Sequence, residues 1–553
     1  MAPCGWVVVV ALALAAVAAP VGPTVTLDFG TYRGISNPIT GTDTFYGLPF
    51  AAPPTGNLRL RPPQLFATNY GNVVQDASLP KSDCTQQPIE VVSTTELEYV
   101  ETYAGPNYTA YLSITGTGSE DCLYLNVIRP STATPTSKLP VMFWIFGGGF
   151  EFGGISEYDG SFLVQQSIAM GQDVIWVAAN YRVSAWGFMP GQEVLDAGVT
   201  NIGLLDQRAA LLWVQQYISQ FGGDPEKVTL FGESAGAMSI GFQLLLYGGD
   251  TNNTFRAAIM ESGSPLPVGP PSYAQGVFDQ IVDFSNCSSA NDKLECLRHL
   301  DESTFLQAVA TTPSIESSYV NLHLAYIPRI DYNTVPDFPP NLLRSGRFAK
   351  LPVISGDNED EGTLFQFTSL NVTTDDEFAQ FVKEMFPLLN ETTLEMLLEA
   401  YPEDPALGSP YNTGDLYALT PENKRIASFY GDTVWNAARR FFSQIYVNAS
   451  VPIWSYLFSH TNVIPYLGAF HSSELPFVFT HHSSVKDDCV DEYDVRARTL
   501  VECWVGSARH VEYVHPAANV LVGAEVDVVV DVLEVEVGRL LCVVVAQATR
   551  GKI

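Results

Sequence analysis

The 553-residue chain is 46% hydrophobic and 12% aromatic, which is enough apolar side chain to bury a large core. Its 60 acidic against 28 basic residues leave a formal charge of −32, a surface that repels phosphate backbones and anionic membranes. That balance argues against nucleic acid as a partner and supports solubility without naming a function.

In chain order, the first feature is an apolar run over residues 6–19, rich in Val, Ala and Leu. It falls short of the about 20 apolar residues that span a bilayer. It ends in Ala16-Val17-Ala18-Ala19-Pro20, the small-residue pattern of a signal-peptide cleavage site, so residues 1–19 are expected to direct secretion to the extracellular space. No Lys or Arg precedes the run, and the alternative reading is a buried N-terminal strand. No other segment reads as an integral membrane anchor. Six Asn-x-Ser/Thr sequons, at Asn107, Asn252, Asn286, Asn371, Asn390 and Asn448, suit a glycosylated exterior.

Residues 20–483 read as one catalytic domain. Its early part holds a stretch rich in Thr, Glu and Tyr, about 85–121, without a strong period and flanked by Cys84 and Cys122; it has the character of a flap. Beyond it, short apolar runs at 141–146, 174–179, 228–231, 257–260, 353–355 and 453–458 alternate with helical patterns. One such pattern is 203–219, where Leu204, Leu205, Leu211, Leu212 and Val214 recur near helical spacing. Continuous runs alternating with helices predict an α/β fold with a large, mostly parallel sheet flanked by helices. In such folds the reactive groups lie beyond the carboxyl ends of the strands.

Two of those strand ends carry chemistry. Phe146-Gly147-Gly148-Gly149-Phe150 follows the first run, and its glycines leave N–H groups free to meet a ligand oxygen. Gly232-Glu233-Ser234-Ala235-Gly236 follows the 228–231 run and precedes a helix-forming stretch, 235–246. Glycines two residues either side of Ser234 permit the sharp strand-to-helix turn that lifts a serine hydroxyl out at the sheet's edge. Such a serine needs a base, and the base an orienting acid, in the chain order Ser, acid, His. Asp357, Glu359, Asp360 and Glu361 are the acid candidates after the 353–355 run; His460, His471, His481 and His482 are the base candidates. From the residues alone the choice stays open.

Further motifs narrow it. Tyr46-Gly47-Leu48-Pro49-Phe50-Ala51, Ser119-Glu120-Asp121-Cys122-Leu123-Tyr124-Leu125-Asn126, Asn180-Tyr181-Arg182 and Phe221-Gly222-Gly223-Asp224-Pro225 join the serine elbow. Together they make residues 26–479 resemble the type-B carboxylesterase/lipase family, closest to secreted fungal lipases of the Candida rugosa type. The resemblance implies an α/β-hydrolase fold with a disulfide-tied lid, and a catalytic triad of Ser234, Glu361 and His471. It implies an oxyanion hole from the amides of Gly148, Gly149 and Ala235, and an acyl pocket of Met238, Leu364 and Phe365. It also implies the disulfides Cys84–Cys122 and Cys287–Cys296, and a mechanism through an acyl-enzyme that needs no metal or cofactor. The expected substrate is an ester or lipid, met at a lipid–water interface if lid residues such as Ile89, Val91, Tyr99, Val100 and Leu112 expose their apolar faces. Glu233 is read either as a supporting group or as a buried, hydrogen-bonded spacer.

Three functions fit to different degrees: a lipase for acylglycerols or sterol esters, a carboxylesterase for short soluble esters, and a non-catalytic, neuroligin-like binding protein. The last normally lacks a triad member. Residues 484–553 depart from the family: Val-rich text with Cys489, Cys503 and Cys542 replaces the expected Trp- and Gly-containing segment, in the manner of a gene-model artefact.

Overall fold

The computed structural model describes residues 22–88, 98–105, 118–315, 319, 320, 322, 324–479 and 505. The expected signal peptide, Asn107 and most of the expected flap and tail lie outside those residues.

Two sheets form. The smaller joins β1 (Thr24–Leu27), β2 (Gly30–Arg33) and β5 (Val74–Asp76). The larger has nine strands: β3 (Ile35–Asn37), β4 (Thr42–Pro49), β6 (Tyr124–Pro130), β7 (Leu139–Ile145), β8 (Ile175–Ala179), β9 (Gly223–Glu233), β10 (Ala257–Glu261), β11 (Val353–Asn358) and β12 (Ile453–Phe458). Their order is β12-β11-β10-β9-β7-β8-β6-β4-β3. Every pairing from β8 to β12 is parallel, whereas β3, β4 and β6 add an antiparallel edge. The inner parallel strands β7, β8 and β10 are buried on both faces, as covering helices require, so they read in sequence as apolar runs. The antiparallel edge carries Thr, Asp and Asn among its apolar positions and gave no such run.

The family-like motifs are joints between these layers. Arg182 grips Asp206 with both ends of its guanidinium, at 2.8 and 2.7 Å, fixing the turn after β8 to the helix Ile202–Tyr217. Glu120 pairs with Arg59 and accepts the Trp186 indole N–H at 2.8 Å. Such buried charges persist because each is both paired and hydrogen-bonded. Disulfides join Cys84 to Cys122 and Cys287 to Cys296, the pairing the resemblance implies.

Apolar side chains form two clusters. The larger surrounds the sheet and includes Val505, buried although it lies 26 residues beyond the helix Leu475–Phe479. The smaller gathers Leu364, Phe365, Phe378, Phe381, Phe429, Trp435 and Phe470 outside the strand ends. Val100, from the described part of the flap, is buried in it, and Tyr99 stacks on Phe367 at 5.0 Å. Among the described residues, no helix is long and apolar enough to cross a membrane. The five described sequon asparagines, Asn252, Asn286, Asn371, Asn390 and Asn448, are all exposed.

Candidate active site

Strand β9 runs straight into the elbow. Ser234 follows it at φ 54° and ψ −125°, a backbone conformation that costs a side-chain-bearing residue on the order of 1–3 kcal/mol. Hydrogen bonds on both sides hold it there: Ser234 N–H donates to Glu261 O at 2.9 Å, and Met238 N–H to Ser234 O at 2.8 Å, opening the helix Ala235–Gln243. The second glycine of the motif has a steric cause. A Cβ on Gly236 would stand 2.0 Å from Ile145 O, so helix and β7 can approach this closely only without a side chain.

The glycine loop after β7 lies against the elbow. Gly148 has φ +91°, open to glycine, and a Cβ there would meet Phe152 O at 2.4 Å. Gly148, Gly149 and Ala235 all line one cavity with Ser234. Among the described residues, no acceptor engages the Gly148 or Gly149 amide, and Ala235, as the first residue of its helix, has none within it. Three N–H groups at the cavity beside the serine thus have no backbone acceptor among the described residues.

Of the four acid candidates, Glu361 alone bonds a histidine among the described residues. Its Oε2 lies 2.6 Å from His471 Nδ1, while its Oε1 accepts the Asn358 N–H at 2.7 Å. Asp357 is instead paired with Arg439 at 2.5 Å. Asp360 is a buckle: it accepts Ser409 Oγ at 2.6 Å, Tyr411 N–H at 2.9 Å and Ala469 N–H at 2.9 Å. It thereby fastens the loop bearing His471 to the loop bearing Glu361. Of the histidines, His460 packs against Phe477 and Phe458, and His481 and His482 lie outside the described residues. The His471 ring is buried between Trp435, at 4.7 Å, and Phe365, at 5.5 Å.

The electrostatics follow from burial. Desolvation pushes His471 below its ordinary value of 6.5, against the charges of Glu233 and Asp357. The ring is thus neutral at rest, with Nδ1–H assigned by its contact to Glu361 and Nε2 left as acceptor. Desolvation raises Glu361 well above the usual carboxyl range, and the neighbouring charge of Asp357 adds to it. Glu233 is pushed up to about 8, chiefly by burial. Its Oε1 lies 3.2 Å from His471 Nε2 and accepts the Ser472 hydroxyl at 2.6 Å. Two bare acceptors at that distance would repel, so a proton on Glu233 shared with Nε2 is the state that satisfies both groups. No hydrogen bond joins Ser234 Oγ to His471; such contacts often tighten only when substrate arrives.

Sequence reasoning missed Asn358, Trp435, Ser472 and Glu474. Asn358 Nδ2 donates to Phe470 O at 2.8 Å and to Glu474 Oε2 at 2.5 Å, linking the end of β11 to both flanks of His471. Asn358 does sit three residues beyond the 353–355 run, but nothing local marks it as a bridge.

The cavity measures about 1190 Å³ and runs outward from Ser234. Met238, Leu364 and Phe365 line it, along with Leu266, Leu324 and Ile330.

Comparison with known proteins agrees with this geometry. The sequence profile of the carboxylesterase family matches residues 21–510. The chain is 42% identical to "Secreted triacylglycerol lipase LIP1" of Gibberella zeae, over 82% of this chain and 78% of that one. It is 39% identical to "Lipase 4" of Diutina rugosa, over 84% and 85%. Among solved structures, Aspergillus niger EstA superposes with a TM-score of 0.74 at 29% identity, covering 89% of each chain. The chain therefore belongs to the carboxylesterase family and is a carboxylic ester hydrolase with the α/β-hydrolase fold.

Proposed function

We propose that the protein is a secreted lipase that cleaves long-chain acylglycerols or sterol esters with Ser234 as nucleophile, His471 as general base and Glu361 as the orienting acid. The observation that carries the substrate class is the cavity. At about 1190 Å³ it exceeds the usual range for small-ligand sites, and its lining is mainly apolar. Each methylene buried there contributes about 0.8 kcal/mol, so binding favours long chains over short ones. Relatives named as lipases, two of them as secreted, support the same reading.

In this mechanism His471 Nε2 turns from Glu233 to Ser234 and takes the hydroxyl proton as Oγ attacks the ester carbonyl. Glu361, already bonded to Nδ1, stabilises the imidazolium. The amides of Gly148, Gly149 and Ala235 receive the oxyanion, contributions that mutation of similar donors values at about 3–4 kcal/mol each. Collapse expels the alcohol, which takes the proton from His471, and water activated by the same ring releases the acid. The residues Met238, Leu364 and Phe365 hold the acyl chain beside the serine.

Hydrolysis rates across an ester series from short to long chains, taken below and above the emulsion point, test the substrate class. Rates are expected to rise with chain length and to jump at the emulsion. A preference for short dissolved esters with no jump would replace the lipase reading with that of a soluble-ester carboxylesterase.

A further inference from the structure

The helix Asp375–Met385 ends on an apolar residue, and four of the five residues that join it to the helix Glu391–Ala400 are apolar as well, Phe386-Pro387-Leu388-Leu389 before Asn390. The loop is short and pinned at both ends. Phe386 N–H closes the first helix on Val382 O at 3.0 Å, Leu389 N–H bonds Phe386 O at 2.9 Å, and Asn390 caps the second helix through Thr393 N–H at 2.9 Å. Met385 and Leu389 turn inward onto the smaller apolar cluster. Leu388 turns outward and is 87% exposed. A polar residue would fit there at no cost to folding, so the core does not explain a leucine.

Its position does. Leu388 lines the same cavity as Ser234, and so does Tyr273, which is 71% exposed and comes from a separate turn, Pro271–Ala274. Residues that are both cavity lining and solvent-exposed mark the cavity's mouth. Among the described residues the lining carries two carboxyl groups, Glu157 and Glu233, both pushed up to about 8 by burial, and no Lys, Arg or Asp. A mainly apolar passage therefore opens at a rim that carries Leu388 and Tyr273, on a molecule whose net charge of −32 repels anionic lipid.

We propose that Leu388, with Tyr273, is a docking rim that inserts into an uncharged lipid surface and sets the cavity mouth against it, separately from the flap of residues 85–121. This rests on the lipid-ester reading above, and it deepens it by naming the surface that meets the lipid.

The test measures binding without turnover. Full-length Ser234→Ala protein is partitioned onto phosphatidylcholine vesicles and onto a triolein emulsion, with and without Leu388→Asp. The leucine-to-carboxylate change is expected to lower the partition coefficient about tenfold or more. Tyr273→Asp is expected to lower it as well, and Leu388→Met to leave it near the starting value. Melting temperatures should stay unchanged, since neither side chain packs in the core. Replacing part of the phosphatidylcholine with phosphatidylserine should weaken binding. Partitioning of the Leu388→Asp and Tyr273→Asp proteins equal to that of the parent Ser234→Ala protein would overturn the proposal. So would stronger binding to phosphatidylserine, or a concentration-dependent dimer that Leu388→Asp abolishes, which would make the rim a contact between copies. Because the serine is absent, these outcomes stand apart from the chain-length profile, whose failure would count against the lipid-ester reading alone.

Discussion

The two halves of the candidate site are built by different means. On the nucleophile side, five consecutive residues and two backbone hydrogen bonds, Ser234 N–H to Glu261 O and Met238 N–H to Ser234 O, define the geometry. Backbone packed on backbone sets its tolerance, with Gly236 against Ile145 O. On the base side, His471 and Glu361 are 110 residues apart and are brought together by side chains: Asp360, Asn358 and Glu474 reach across the gap. The first half is rigid and sensitive to shape. The second is an electrostatic assembly, sensitive to proton occupancy and to the loss of single hydrogen bonds.

Replacing the hydroxyl itself should have the largest effect. Ser234→Ala leaves the elbow's packing intact and removes the attacking atom; kcat is expected to fall by about 10⁴-fold or more, with melting temperature nearly unchanged. Turnover surviving that change would break the comparison at its root. Gly236→Ala tests shape. The added methyl would sit within 2.0 Å of Ile145 O and 2.9 Å of Phe146 O, both backbone atoms that cannot swing aside. The elbow must then shift, so activity should fall by at least about 10²-fold, as misplacement by about 1 Å does, and the melting temperature should drop with it. A Gly236→Ala protein with full activity and stability would show that the helix can slide off β7, and the nucleophile side would no longer count as rigid.

Asp360→Asn tests the other half. The buried carboxylate accepts three donors, and an amide must present its NH2 to at least one of them. An unsatisfied buried N–H costs about 1–3 kcal/mol, so denaturant unfolding should detect a loss of that size. Ala469 stands two residues before His471, and slackening there should lower kcat while leaving KM close to its starting value. Unchanged kcat would mean that the base loop holds its place without the buckle.

The same contrast decides what could be read in the sequence. The runs at 257–260 and 453–458 correspond to β10 and β12 within one residue; β10 is continuously apolar up to Met260 because it is buried on both faces, whereas β12, the half-buried edge strand, was marked by its large apolar side chains alone. The 228–231 run is only the buried end of β9, whose first half, Gly223–Lys227, is polar and partly exposed. Strands β3, β4 and the small sheet went unread, since Thr, Asp and Gly among their residues give no apolar run. In the site, the serine elbow was legible because its geometry is local. The acid and base were not separable by local pattern: Asp357, Asp360 and Glu361 lie within five residues, and only partners distant in the chain, Arg439, Ala469 and His471, sort an ion pair from a buckle and from an orienting acid. Glu233 shows the limit most clearly. Its place beside Ser234 was plain, yet its contact with His471 depends on a loop 239 residues away.

Glu233 also gives the smallest and sharpest test. At pH 6–7 the buried carboxyl holds a proton, because burial pushes it up to about 8, and it shares that proton with His471 Nε2. As the pH rises through about 8 the proton leaves, and a carboxylate then faces the ring. That charge stabilises the imidazolium and raises the affinity of His471 for a proton, which it must instead exchange with Ser234. The pH dependence of kcat/KM should therefore rise on the acid side with a midpoint below 6.5, where burial holds His471, and bend again near 8. Glu233→Gln with its NH2 at the Oε1 position donates one N–H to Nε2 and the other to the Ser472 hydroxyl oxygen, which turns to accept, but it cannot ionise. Its kcat/KM at pH 6–7 is expected to stay within about fivefold of the starting protein, the size of one neutral hydrogen bond. The inflection near 8 should vanish. A purely structural role for Glu233 would move stability and leave the alkaline bend in place, so an unchanged bend in the Glu233→Gln profile would return the residue to the spacer its position in the motif first suggested.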